Sequence, residues 1–218
     1  MADLIRELSA TQVRDNLERI KDRIAATGCD PQAVQILAAV KYLPTDELQK
    51  LKEAGVTLLG ENRAQELVTK VQAHPNSFTW DFIGTLQSRK IATIVPHVRY
   101  IHSVASDSAL RQLRNHATPQ TRILLEVNVA ADPGKSGITP DQLPGFLERS
   151  PTPVVGLMTM PPLTDRPDGN RRHFARLREL AETHGLRELS MGTSQDFEAA
   201  VREGATIIRL GRALYTAV

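Results

Sequence analysis

Residues 189–212, LSMGTSQDFEAAVREGATIIRLGR, contain the pattern that decides the fold: an apolar run, a polar segment of helical length and a second apolar run. The two runs cover residues 186–191 and 206–211, and the segment 195–203 between them is predicted to be a helix that ends at Gly204. Most positions in both runs are apolar, which is typical of strands that are covered on both faces. Because a helix fits between the two strands, they are predicted to be parallel.

The same alternation extends toward the N-terminus. Six further apolar runs bring the total to eight, and they cover residues 34–42, 56–60, 80–84, 100–104, 122–129 and 153–160. Residues 9–26 precede them and have the apolar spacing of an amphipathic helix. Eight strand–helix steps predict a (β/α)8 TIM barrel, in the α/β class, with an N-terminal helix and a single domain over residues 1–218. An open doubly wound sheet is the alternative, but the G-x-G-x-x-G turn expected after its first strand is absent.

Composition excludes several classes of protein. The 218 residues are 41% apolar and 24% charged, as in a globular protein, and the formal net charge of +2 argues against nucleic-acid binding. No apolar run reaches the roughly 18 residues of a membrane span, and residues 1–9 do not resemble a signal peptide. Cys29 is the only cysteine, so a cytoplasmic location is expected. No spacing of His, Cys and Asp predicts a metal site. The arginines of residues 171–178 share their segment with glutamates, which favours a solvated helix face.

The ends of the first and last strands carry the residues with the clearest chemistry, because active sites of this barrel lie at the C-terminal ends of its strands. Lys41 closes the first apolar run. Burial disfavours the charged form of an amine, and a neutral amine can attack a carbonyl; the alternative is a lysine that extends into water. Arg209 lies inside the last run, where a guanidinium requires partners. It either pairs with Glu126 or Glu61, or contacts a polar ligand atom.

Residues after the other strands are candidates for binding an anion. Gly192 and Ser194 lie between a strand and a helix, and Gly211 follows the last strand, where these barrels often bind phosphate. Ser194 could instead cap its helix. Asn62 could orient a ligand hydroxyl or could be an ordinary residue at the start of a helix. His102 is expected to satisfy hydrogen bonds near the end of the fourth strand or to line the pocket.

A lysine amine, a phosphate site and an inward arginine together fit a phosphorylated aldehyde, and pyridoxal 5′-phosphate (PLP) is such a molecule. The alternative function is a TIM-barrel isomerase or aldolase acting on a phosphorylated sugar. That enzyme is expected to place a carboxylate at the end of a strand, commonly the sixth. The sixth apolar run instead ends with residues 158–162, MTMPP, which contain no carboxylate.

Motifs along the whole chain carry a resemblance to a known family. They are Ala39-Val40-Lys41, Gly60-Glu61-Asn62, Phe82-Ile83-Gly84, Ile101-His102-Ser103, Lys135-Ser136-Gly137, Gly156-Leu157-Met158-Thr159-Met160, Ser190-Met191-Gly192 with Ser194, and Arg209-Leu210-Gly211. In this order they resemble the pyridoxal phosphate homeostasis protein family, which is similar to the N-terminal barrel of alanine racemase.

The resemblance implies a PLP fold-type III barrel in which Lys41 carries the cofactor as an internal aldimine. It implies phosphate contacts from Ser194 and the turn at Gly211, and Arg209 against the pyridine nitrogen. Asn62 and Met191 lie in the matching motifs and are expected to complete the cofactor site. The implied role is to bind and buffer PLP inside the cell and to deliver it to PLP-dependent apoenzymes, without established turnover.

Some residues depart from the family's pattern. Thr85, Arg89 and Asp132 stand where other residues are usual, and Arg212 occupies a position beside the phosphate that is often held by threonine. Alanine racemase has an added β-domain that supplies a second acid/base across a dimer, and this sequence has no counterpart. A monomer without racemase chemistry is therefore expected.

Overall fold

Eight parallel strands close into a barrel in chain order, so that β8 pairs with β1. The computed structural model describes residues 5–164, 166 and 168–216. The strands are β1 (Gln35–Ala39), β2 (Leu58–Glu61), β3 (Thr79–Phe82), β4 (Tyr100–Val104), β5 (Arg122–Glu126), β6 (Val154–Met158), β7 (Glu188–Ser190) and β8 (Ile207–Leu210). Six strands lie within their predicted apolar runs, and β2 and β3 extend one residue beyond theirs, at Glu61 and Thr79; the predicted barrel is confirmed.

Nine α-helices are present among the described residues. They are α1 (Ala10–Ala26), α2 (Leu48–Glu53), α3 (Ala64–Ala73), α4 (Ile91–Ile94), α5 (Asp107–His116), α6 (Leu143–Arg149), α7 (Arg171–Thr183), α8 (Phe197–Arg202) and α9 (Arg212–Tyr215). The predicted N-terminal helix is confirmed, and Ser9 caps it by accepting a hydrogen bond from the Gln12 N–H.

The helix that follows β7 begins later than predicted, since α8 starts at Phe197 and the predicted segment is 195–203. The segments Thr45–Glu47 and Ser88–Lys90 are 3-10 turns that precede α2 and α4. Helical spacing does not separate such a turn from the first turn of an α-helix, because the apolar positions nearly coincide. The short helix α9, which directly follows β8, was not predicted.

The two faces of the strands have different surroundings. On β8, Ile208 and Leu210 point outward and join the apolar core between strands and helices, whereas Arg209 occupies the alternate, inward face. On β7, Leu189 joins the same outer core and Ser190 points inward. The barrel interior therefore contains polar side chains, and the C-terminal ends of β1, β7 and β8 are neighbours around its mouth.

Candidate functional site

Lys41 lies at the mouth of the barrel, in the turn that follows β1. Strand β1 ends at Ala39, and the chain turns where the Leu43 N–H donates to the Val40 carbonyl at 3.1 Å. The Lys41 side chain is exposed, with Nζ 4.7 Å from the centroid of the Tyr42 ring. Of the two alternatives for Lys41, the structure therefore shows the lysine that extends into water and not a desolvated amine, and the strand ends two residues before it.

The backbone before Lys41 is fixed by two buried side chains that the sequence analysis did not single out. The Lys70 ammonium on α3 donates to the Val40 carbonyl at 2.8 Å and to Glu61 Oε2 at 2.6 Å. The Tyr215 hydroxyl on α9 donates to the Ala39 carbonyl at 3.3 Å. Both contacts restrain the exit of β1, so the position of Lys41 depends on α3 and α9.

Arg209 is buried at the inner face of β8, with 7% of the residue exposed. Its Nη1 donates to Ser190 Oγ at 2.6 Å, and its Nη2 donates to the Thr159 carbonyl at 2.9 Å and to Met160 Sδ at 3.0 Å. Burial lowers its pKa to about 10, against the opposing charges of Asp196 and Glu126, so the guanidinium remains charged at neutral pH.

The predicted ion pair between Arg209 and a carboxylate is wrong. Glu61 lies on the other face of β2 and pairs with Lys70, and Glu126 Oε1 accepts from the Ser136 hydroxyl at 2.6 Å. Among the described residues no carboxylate lies within 4.0 Å of the guanidinium. Among the described residues, no acceptor is hydrogen-bonded to Arg209 Nε or to the second hydrogen of Nη1. Two donors thus remain available to a ligand.

A chain of hydrogen bonds crosses the barrel interior behind Arg209. His102 on β4 is fully buried; its Nδ1 lies 2.9 Å from Ser190 Oγ and its Nε2 lies 3.0 Å from Asp81 Oδ2. Arg99 donates to both oxygens of Asp81, from Nε at 3.0 Å and from Nη2 at 2.7 Å. The expectation that His102 satisfies hydrogen bonds is confirmed. Asp81 was missed, although a lone aspartate in the apolar run 80–84 was a visible signal.

The turns that follow β7 and β8 are joined. Ser194 Oγ accepts a hydrogen bond from the Ala213 N–H at 3.2 Å, and α8 begins only at Phe197, so the alternative that Ser194 caps its helix is wrong. The backbone N–H groups of Ser194, Gln195, Gly211 and Arg212 have no acceptor among the described residues. Several donors on two adjoining turns form a suitable environment for an anion.

The two glycines of these turns differ in role. Gly192 has φ of 90°, and a Cβ there would lie 2.6 Å from the Ala200 Cβ, so this glycine allows α8 to pack closely. A Cβ at Gly211 would lie 3.7 Å from the Ala39 carbonyl oxygen, which is an ordinary van der Waals contact, so packing does not require a glycine there.

Met191 and Asn62 lie on different sides of the barrel wall. The Met191 side chain is fully buried in the core between strands and helices, so it does not support the predicted contact with the cofactor. Asn62 follows β2, and its Oδ1 is buried without a hydrogen-bond partner in the described part of the chain. Since α3 begins at Ala64, Asn62 is not an ordinary helix-start residue, and its orphan oxygen is available to a ligand.

Known proteins resemble this chain over most of its length. No protein-family model matches it. The pyridoxal phosphate homeostasis protein of Aquifex aeolicus is 35% identical, over 91% of this chain and 93% of that protein. The homologue of the same name from Pseudomonas aeruginosa is 37% identical over 91% of each chain. The chain belongs to the pyridoxal phosphate homeostasis protein family.

Solved structures agree with this membership. PipY of Synechococcus elongatus, solved with PLP bound, is 31% identical, with a TM-score of 0.75 over 90% of this chain and all of that one. Alanine racemase of Corynebacterium glutamicum is 18% identical, with a TM-score of 0.72 over all of this chain and 64% of that one. The second likeness concerns the fold alone, and it confirms the alanine racemase-like barrel predicted for this family member.

The described residues contain no cluster of three or more His, Cys, Asp or Glu side chains that could hold a metal ion. None of the helices that the structure describes is long and apolar enough to cross a bilayer. Three of the four arginines of α7 pair with carboxylates, in Arg171–Glu203, Arg176–Glu179 and Arg178–Glu182, and all but the half-buried Arg178 are exposed, which confirms the predicted solvated face.

Proposed function

We propose that this protein binds pyridoxal phosphate at the mouth of its barrel and takes part in PLP homeostasis. Membership of the family and the PLP-bound structure of PipY support the ligand. The geometry supports the same place: an exposed lysine after β1, a buried guanidinium on β8 and two donor-rich turns after β7 and β8 meet at one end of the barrel. This convergence carries the proposal.

The residues present fit the cofactor. The free N–H groups of the turns at Ser194 and Gly211 suit a phosphate dianion, because backbone donors stabilise concentrated negative charge. The positive charges of Arg209 and Lys41 favour an anionic ligand in the same mouth. The unpartnered Asn62 Oδ1 is an acceptor for the ligand's hydroxyl group. We propose no contact from the Met191 side chain, which lies in the outer core.

Lys41 is the proposed attachment point. Bound PLP supplies an aldehyde, which condenses with a primary amine and releases water. The exposed amine of Lys41 is accessible to a ligand that enters from solvent, and the restraints on Val40 and Ala39 hold its backbone in place.

Binding and delivery, rather than turnover, is the role we propose. Arg209 keeps its proton at neutral pH, since its pKa is about 10. If Arg209 faced the ring nitrogen of bound PLP, as the family resemblance implies, it would not protonate that nitrogen, and an unprotonated ring would be a weaker electron sink for carbanion chemistry. We propose PLP-dependent apoenzymes as recipients and the cytoplasm as the location, where the free Cys29 is compatible with a reducing environment.

The test is titration with PLP, followed by borohydride reduction. The wild type should develop an absorption band near ~420 nm that reduction abolishes. Lys41→Ala should develop none, whereas Lys52→Ala, which removes an exposed lysine of α2, should behave as wild type. A wild type that forms no such band contradicts the proposal, and a phosphosugar enzyme gives that result.

A further inference from the structure

The hydrogen bonds that connect Arg209 through Ser190 and His102 to Asp81 all run in one direction, with each donor on the side of Arg209 and each acceptor on the side of Asp81. Burial tends to raise the pKa of Asp81, but the hydrogen bonds from His102 and Arg99 outweigh it and the net pKa is lowered, so Asp81 is ionised. Burial lowers the pKa of His102 despite the opposing Asp81, so the imidazole is neutral. A neutral imidazole beside a carboxylate donates to it from Nε2 and leaves Nδ1 as an acceptor.

The neutral His102, with its proton on Nε2, then determines the orientation of the Ser190 hydroxyl. Its proton points to His102 Nδ1 at 2.9 Å, which leaves the oxygen lone pairs for Arg209 Nη1 at 2.6 Å. The negative charge of Asp81 polarises this series of hydrogen bonds and strengthens the last one, because all three side chains are buried. Thr159 and Met160 hold the Nη2 group from the other side. These hydrogen bonds hold the guanidinium in one orientation. Its Nε hydrogen and one Nη1 hydrogen make no hydrogen bond to the described residues.

We propose that Asp81, His102 and Ser190 are positioning residues for the cofactor site: together they orient Arg209 so that its remaining donors face the ligand. This proposal rests on the proposed function. None of the three needs to contact the ligand, since they act through Arg209. The assignment extends the site from the mouth to the base of the barrel, where Arg99 Nη1 donates to Gln35 Oε1 at 2.6 Å.

The first test uses the protein without ligand. Nitrogen-15 NMR of His102 should show an unprotonated Nδ1 and a protonated Nε2 from about pH 7 to about pH 8. Asp81→Asn should change this tautomer, because the amide no longer requires a donor at that position. A His102 that carries its proton on Nδ1, or on both nitrogens, in the wild type contradicts the direction of the chain and overturns the proposal.

The second test measures PLP affinity in a double-mutant cycle. Ser190→Ala and His102→Leu should each weaken PLP binding about tenfold, the loss expected for one charge-assisted hydrogen bond. The double variant should be no weaker than Ser190→Ala alone, because His102 acts through Ser190. His102→Gln, which retains a donor and an acceptor, should restore most of the affinity.

The matched control is Thr152→Val, which removes a buried hydroxyl that donates to the Thr121 carbonyl at the other end of the barrel. It should lower the urea midpoint as Ser190→Ala does, without changing the PLP affinity. If Ser190→Ala binds PLP as the control does, the three residues are merely structural and the proposal fails. Failure of the proposed function is distinct, because the wild type itself then binds no PLP.

Discussion

Replacement of Lys70 by methionine tests how the position of Lys41 is maintained. Lys70 and Glu61 are 2% and 0% exposed, so their 2.6 Å ion pair is fully removed from water. Removal of one partner from a buried pair costs about 3–5 kcal/mol, because the other charge remains buried. Glu61 Oε1 still accepts from the N–H groups of Asn62 and Arg63, so we expect the lower end, about 3 kcal/mol.

The assay is urea unfolding, with two further variants as controls. Lys70→Met combined with Glu61→Gln should recover about 1–2 kcal/mol, since no charge is then buried. Arg176→Met, which breaks the exposed pair with Glu179, should change the free energy of unfolding by at most about 0.5 kcal/mol. Lys70→Met should also form less of the reducible PLP adduct, because the Val40 carbonyl loses its donor. A loss below about 1 kcal/mol in Lys70→Met, or a double variant as unstable as the single one, would refute this reasoning.

Three further predictions concern the site. Lys41→Ala should abolish the reducible band while the free energy of unfolding changes by at most about 1 kcal/mol, since the exposed side chain contributes little beyond its contact with Tyr42; a large loss of stability would show that Lys41 has a structural role. Arg209→Ala should weaken PLP binding at least about tenfold in an absorbance titration, and unchanged affinity would mean that the guanidinium faces elsewhere. The folded-state pKa of His102 is lowered, so its contribution to stability is complete above about pH 6.5 and is lost as the pH falls toward the folded value. Between about pH 7.5 and about pH 5.5, urea midpoints should fall more for wild type than for His102→Gln, and equal decreases would count against a buried neutral imidazole.

The barrel could be predicted from the sequence because its strands are local signals. Each apolar run matches its strand to within one residue beyond either end of the run, and the alternation of runs and helices specifies parallel pairing. Arg209 was recognisable for the same reason, as one charge within a continuous apolar run. The end of β1 was not predicted correctly, because the apolar residues Val40, Tyr42 and Leu43 continue on both sides of Lys41 although the chain turns there.

The interior partners could not be predicted because they are distant in sequence. His102 lies 88 residues from Ser190 and 21 from Asp81, and only closure of the barrel brings the three together. Lys70 had the appearance of an ordinary helical lysine, since nothing in the spacing of α3 shows that its ammonium reaches the Val40 carbonyl. A pattern of residue types therefore located the mouth, whereas the network behind it required the three-dimensional structure.

The central claim is that the Lys41 amine carries pyridoxal phosphate at the barrel mouth. Its most direct test is peptide mapping by mass spectrometry after the protein is incubated with PLP and reduced with borohydride. The account predicts that the peptide containing Lys41 gains the mass of one phosphopyridoxyl group. If the protein binds PLP and the Lys41 peptide is still unmodified after borohydride reduction, the claim is contradicted.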